Sequence, residues 1–195
     1  MKYLLVKQAV FLPVIYFGFL IFAGFYANDY SHIGQHASEL GINSGKNAVI
    51  LFKISILLTA ISLFTLAIGL LLNFKNRFTL SSILIFAFGV TFVFGAIFPI
   101  GSPWHGLYGI GLFIMILPFI FLYESSNHLN NKAVYRISIA AGFLIFLYLW
   151  SMIARIDPID YRGLTQRLFG IVVFGWLSFI SYHLSKVLNH DIHKD

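Results

Sequence analysis

Two histidines and a glutamate occupy positions 32, 36 and 39 of a polar stretch running from Asn28 to Lys46. A short helix from about Ser31, as N-cap, to Leu40, with Gly41 as its stop signal, is the expectation there. It sets His32, His36 and Glu39 at i, i+4 and i+7, on one face. Ile33, Ala37 and Leu40 then fall on a second face, turned by about 100°. Two imidazoles one turn apart can chelate zinc, with His105 as the best third ligand and one position left open for water. On such a site Glu39 or Asp160 is the candidate base acting on bound water. There is no His-Glu-x-x-His run, because Ile33 follows His32, so no metalloprotease base is placed. The alternative is that these histidines are solvated or interfacial groups at helix ends.

A second group of chemistry-bearing residues lies between Arg155 and Arg167. Arg155, Arg162 and Arg167 alternate with Asp157 and Asp160, and Asp157-Pro158 ends the preceding helix. Arginine is suited to bidentate pairing with carboxylate or phosphate. One reading is a pocket for an anionic lipid headgroup or a lipid-linked phosphate, with Ser38 and Glu39 ordering the neighbouring loop. The other is internal pairing of the arginines with these aspartates and with Glu39 and Asp29. Both require the 28–46 and 155–167 segments to touch. On the opposite side His128, His190 and His193 stand among Asn, Asp and Lys, as expected of solvated connections.

The elements that must position these groups follow from composition. The chain has 195 residues, 59% of them hydrophobic and 10% charged, with 22 Phe, 10 Tyr and no Cys. Soluble domains carry about 45–50% apolar and about 25% charged residues. A soluble globule, a disordered chain and a disulfide scaffold are therefore excluded, and an all-α, polytopic membrane protein remains. Charge-free runs of about 20 residues place six transmembrane helices in one bundle of residues 1–195, near 8–27, 48–72, 79–98, 105–123, 135–153 and 166–187. The long apolar stretch from Phe78 to Tyr123 is divided by the Pro99-Ile-Gly-Ser-Pro103 turn. The first run is too long for a signal-peptide core and no small-x-small cleavage site follows it, so it is read as an uncleaved span.

Basic residues orient the bundle. The N-terminus (Lys2, Lys7), the 73–79 loop (Lys75, Arg77), the 124–136 loop (Lys132, Arg136) and the C-terminus (Lys186, Lys194) hold eight of the 13 Lys and Arg. The other connections hold Lys46, Lys53, Arg155, Arg162 and Arg167. Both termini are thus expected in the cytoplasm, with the His and Arg groups on the outer face of the plasma membrane. The +6 net charge is spread over loops and tails without a run, which excludes a nucleic-acid partner and fits contact with membrane lipids. No Asp or Glu stands at mid-span, which argues against ion-coupled transport. Edge histidines alone do not make a bis-histidine haem pair.

Small residues four apart, Ala23 with Ala27 and Ser138 with Gly142, are expected at helix contacts. Gly106, Gly109 and Gly111 thin the start of the fourth helix, and Pro13 and Pro118 are expected to kink the first and fourth. With no preceding strand and no following Lys-Ser/Thr, the glycines are not a phosphate loop. Trp104, Trp150, Tyr26, Tyr30 and Tyr108 near one interface, and Tyr123, Tyr135 and Tyr182 near the other, match aromatic belts.

Three strings, His36-Ala-Ser-Glu-Leu-Gly41, the Phe98-Pro99 turn followed by His105, and Gly163-Leu-Thr-Gln-Arg167, resemble the domain-of-unknown-function 998 family, small, mostly bacterial, six-span membrane proteins. The resemblance runs from roughly Phe11 to Leu184. It departs after Pro99, where an acidic residue is usual and this chain has Ile-Gly-Ser. It implies a six-helix integral membrane protein and supplies no catalytic residues. Two functions are carried forward. One is a non-enzymatic component that binds an anionic lipid headgroup or a membrane-protein partner through Arg155, Arg162 and Arg167, with no cofactor. The other is a zinc-dependent membrane hydrolase of a lipid, with His32, His36 and His105 as ligands.

Overall fold

Large apolar side chains cover the outside of this molecule. Val14 is 69% exposed, Ile61 57% and Phe143 58%, and all three lie on helices. The buried positions between helices include Ser55, Thr59, Ser62, Ser138 and Ser181. Such a surface is stable only against hydrocarbon, where close packing and interhelical hydrogen bonds, not apolar burial, hold helices together. The computed structural model describes residues 3–42, 45–75, 77–126, 129, 131–156 and 158–192. Lys2, His128, Asp157, His193 and Lys194 fall outside the described residues, as does the side chain of His190.

The chain is a polytopic helical bundle without a strand among the described residues. Helix α1 spans Tyr3–Phe25, α2 Lys46–Asn73, α3 Thr79–Ile97, α4 Leu117–Ser125, α5 Lys132–Ile153 and α6 Arg162–Ile192. Five of these are long and apolar enough to cross a membrane; the exception is α4. It is preceded by a 3-10 segment, Leu107–Met115, bent by 50° against it, and the pair makes a sixth span if the two are taken together. The expected continuous helix at 105–123 is therefore corrected. Leu107, Tyr108 and Gly109 all have positive φ (46°, 52° and 85°), a conformation that no α-helix contains. Pro118 stands in the first turn of α4, where its missing N–H costs no helix hydrogen bond. Pro13 plays the same part inside α1, just after a 3-10 turn at Gln8–Phe11.

Hydrogen bonds and small residues explain the packing. Ser55 Oγ donates to Tyr16 O at 2.7 Å, Ser178 Oγ to Val10 O at 2.7 Å, and Trp176 Nε1 to Ser138 Oγ at 2.8 Å. Gln8 and Ser62 exchange two bonds between α1 and α2. At one end the Glu124 carboxylate accepts the Leu80 and Ser81 N–H groups at 2.8 and 3.0 Å. A carboxylate there satisfies the orphan donors and the positive end of α3. Helix α5 begins where Asn131 Oδ1 accepts from Ala133 and Val134. The connections 26–45, 98–106 and 154–161 gather at the other end, called here the distal end.

Candidate functional site

The 28–46 loop is docked on the first turns of α6, as both readings of the charged segments required. Gly163 is buried there, and a Cβ on it would collide with backbone atoms of Ile33 and Gln35. The contact lets Leu164 N donate to Ile33 O at 2.9 Å and Ala37 N to Gln166 Oε1 at 2.7 Å. Arg162 donates to Gly34 O at 3.2 Å and pairs with Glu39 Oε1 at 3.3 Å. Arg167 donates to Gln35 O at 3.2 Å, to Gly163 O at 2.7 Å, to the Tyr30 hydroxyl and to His32 Nδ1 at 3.0 Å. Arg162 and Arg167 thus spend donors on the protein's own loop, while Arg155 lies exposed in the left-handed region with φ 59°.

The expected helix from Ser31 to Leu40 is absent. Residues Ser31–Gln35 form turns, closed by Gln35 N donating to Ser31 O at 2.9 Å, and a 3-10 helix covers only Ala37–Gly41. His36 precedes it in extended conformation (φ −62°, ψ 148°), with its N–H donating to Glu39 Oε1 at 2.9 Å. So short a segment cannot offset helix nucleation alone, and donors on α6 claim its carbonyls at Ile33, Gly34 and Gln35 while Gln166 Oε1 takes the Ala37 N–H. The three histidines consequently diverge. His32 packs edge-on to Tyr30, 5.1 Å between centroids, and over Gly24. His105 is fixed by Nδ1 to Phe98 O at 2.8 Å. Among the described residues no group of three His, Asp or Glu side chains meets in metal-binding geometry. Burial, and next the Arg167 charge, hold His32 below the usual imidazole pKa. Burial raises that of Tyr30 against the opposing charge of Arg167.

Behind this docked loop lies a chamber of about 430 Å3, within the roughly 300–1,000 Å3 of small-molecule sites. Its walls are apolar and aromatic, with Phe52, Phe88, Phe92, Phe169 and Phe174 prominent. Polar groups enter from distal-end elements: Ser38 on the 3-10 helix, His105 before the broken span, Gln166 on α6. Gly106, Gly109 and Gly111 line it too, so the broken backbone faces the chamber. Irregular backbone at membrane depth is tolerated where it borders a cavity. A smaller cavity of about 210 Å3 adjoins, sharing Ser38, Phe52, Gly95 and His105 and adding Lys53. Glu39, Asp160 and the three arginines line neither cavity.

Sequence reasoning singled out Ser38 and His105 but missed Gln166 and Gly163 as the residues that seat the loop. The glycine density from 106 to 111, followed by Pro118, was the visible signal for the break in the fourth span. The sequence as a whole matches a family described as a protein of unknown function, DUF998, over residues 10–183. No curated protein and no solved structure matches the chain.

Proposed function

The chain belongs to that family of unknown function, and we propose that it holds an amphipathic membrane lipid in the chamber at its distal end. The observation that carries this reading is the chamber's polarity: aromatic walls along the bundle and Ser38, His105 and Gln166 at the end where the loops gather. A lipid tail gains by leaving the bilayer for a matched apolar wall only if its head is also satisfied, so the polar groups gathered where the loops meet select an amphipath. Of the other polar lining residues, Tyr16 and Tyr148 belong to the aromatic wall and Thr91 already donates its hydroxyl proton to Phe88 O at 2.6 Å. Met152 is both exposed and a lining residue, so the chamber meets the lipid phase at the side of α5.

In this reading the arginines are scaffolding. Arg162 and Arg167 clamp the loop that carries Ser38, and the lipid meets Ser38 rather than guanidinium groups. The bundle crosses the plasma membrane six times, the bent pair serving as the fourth crossing. Both termini lie in the cytoplasm and the distal end lies outside, following the eight-to-five bias of basic residues. The test is native mass spectrometry of the full chain released from nanodiscs. The wild type should retain one lipid, and Met152→Trp, which fills the chamber mouth from its exposed side, should lose it. Equal lipid retention by both would remove the proposal.

A further inference from the structure

We propose that the lipid is a single-chain molecule with an uncharged alcohol or ester head, which Ser38, His105 and Gln166 recognise by hydrogen bonds. This rests on the lipid-chamber reading above and adds the ligand's class.

The first observation is what each polar group has left to give. Gln166 Oε1 is taken by the Ala37 N–H. That fixes the amide orientation and leaves its NH2 with two donors and no protein partner among the described residues. His105 Nδ1 stands 2.8 Å from Phe98 O. A carbonyl only accepts, so Nδ1 carries the proton, and in that tautomer Nε2 is the acceptor. Gly95 lies beneath this ring, where even an added Cβ would stand 3.8 Å from Cε1. Ser38 offers a hydroxyl that both donates and accepts. Two donors, one acceptor and a hydroxyl on the wall of the same chamber complement a hydroxyl or an ester carbonyl.

The second observation is charge. The described lining of the chamber includes no Asp, Glu, Lys or Arg. A phosphate drawn into it would lose water without gaining a cation, which is costly in a low-dielectric site. Lys53 belongs to the smaller adjoining cavity and is exposed. The third observation is size. At about 430 Å3 the chamber sits near the lower end of the ligand-site range, a volume that favours one slender chain over a two-chain lipid.

The experiment uses the full chain in phosphatidylcholine nanodiscs and a diazirine-bearing monoacylglycerol, with adducts located by peptide mass spectrometry. Adducts should fall on chamber residues. Unlabelled monooleoylglycerol should compete at lower concentration than oleoyl lysophosphatidic acid, which has the same chain and an anionic head, and than dioleoylglycerol. Ser38→Ala should weaken monooleoylglycerol competition about three- to tenfold, the size of one hydrogen bond. It should leave competition by octadecene, a chain of like length with no head, unchanged. Stronger competition by lysophosphatidic acid overturns the uncharged head, and equal competition by dioleoylglycerol overturns the single chain; either result leaves a lipid chamber standing. Adducts only on the outer surface, insensitive to every competitor, would take the chamber reading down as well.

Discussion

The side-chain oxygen of Gln166 accepts a 2.7 Å hydrogen bond from the backbone N–H of Ala37. Ala37 is buried, and its neighbour Ser38 lines the chamber. One amide on α6 therefore satisfies an otherwise orphaned donor and sets the first polar group of the candidate site.

Removing that acceptor should be felt in stability. Gln166→Leu leaves a buried N–H unpaired, a loss of about 1–3 kcal/mol. Gln166→Glu keeps an acceptor for Ala37 but removes the amide donor facing the chamber. The thermal midpoint in detergent should fall for the Leu variant and hold for the Glu variant, while lipid retention falls for both. A Leu variant as stable as wild type would show that the bond does not seat the loop.

Gly163 and Gly175 should respond oppositely to alanine. At Gly163 the new methyl meets backbone atoms of Gln35 and Ile33 that cannot swing aside, whereas at Gly175 nothing lies within 4 Å. Gly163→Ala is expected to cost about 1–3 kcal/mol as overpacking. Gly175→Ala should be neutral or gain up to about 1 kcal/mol from helix propensity. Denaturation of the two variants side by side measures the contrast.

Glu39 holds the loop in two ways, by an ion pair to α6 and by a hydrogen bond within the loop, and they separate by substitution. The ion pair with Arg162 is 41% and 25% exposed on its two sides, so solvent screens it to about 0–1 kcal/mol. The carboxylate also accepts the His36 N–H at 2.9 Å. Glu39→Gln, which keeps that acceptor, should lower the thermal midpoint less than Glu39→Ala. A double-mutant cycle with Arg162→Ala should return a small coupling.

Acid should loosen the docked loop through His32. Its folded pKa lies below the ordinary value, chiefly through burial and then through Arg167. The neutral ring's contribution is therefore complete above the unfolded value of about 6.5 and lost as pH falls through the lower folded value. A protonated ring also cannot accept from Arg167, which donates to its Nδ1 at 3.0 Å. The fall in thermal midpoint from pH 7 to pH 5 should be smaller in His32→Gln than in wild type. Parallel pH profiles would count against this role.

Orientation is open to direct labelling, because the chain has no native Cys. Ile159 is 78% exposed at the distal end, and Ala133 is exposed at the opposite end, in the first turn of α5. In intact cells Ile159→Cys should react with a membrane-impermeant maleimide, and Ala133→Cys only after permeabilisation. The reverse pattern would invert the bundle.

Most of the membrane architecture is written in one-dimensional properties of the chain. Runs without charge, the proline pair at 99 and 103, and the family strings around Ser38 and Gln166 locate helices, because a spanning segment must satisfy its own backbone and present apolar side chains over about 20 residues. Helix periodicity failed where the backbone found partners elsewhere. Between Ser31 and Leu40 an ideal helical face would join His32, His36 and Glu39. Instead Ile33 O, Gly34 O, Gln35 O and Ala37 N bond to α6, and the side chains turn apart. The fourth span breaks at the left-handed residues 107–109, and Gly109 there lines the chamber together with Gly106 and Gly111; the glycine density marked the break but not the cavity it borders. Composition and periodicity are local sums and decide which segments enter the bilayer. Which polar atoms face the chamber depends on contacts between residues far apart in the chain, such as Ala37 and Gln166, 129 positions apart, and only the packed bundle decides that.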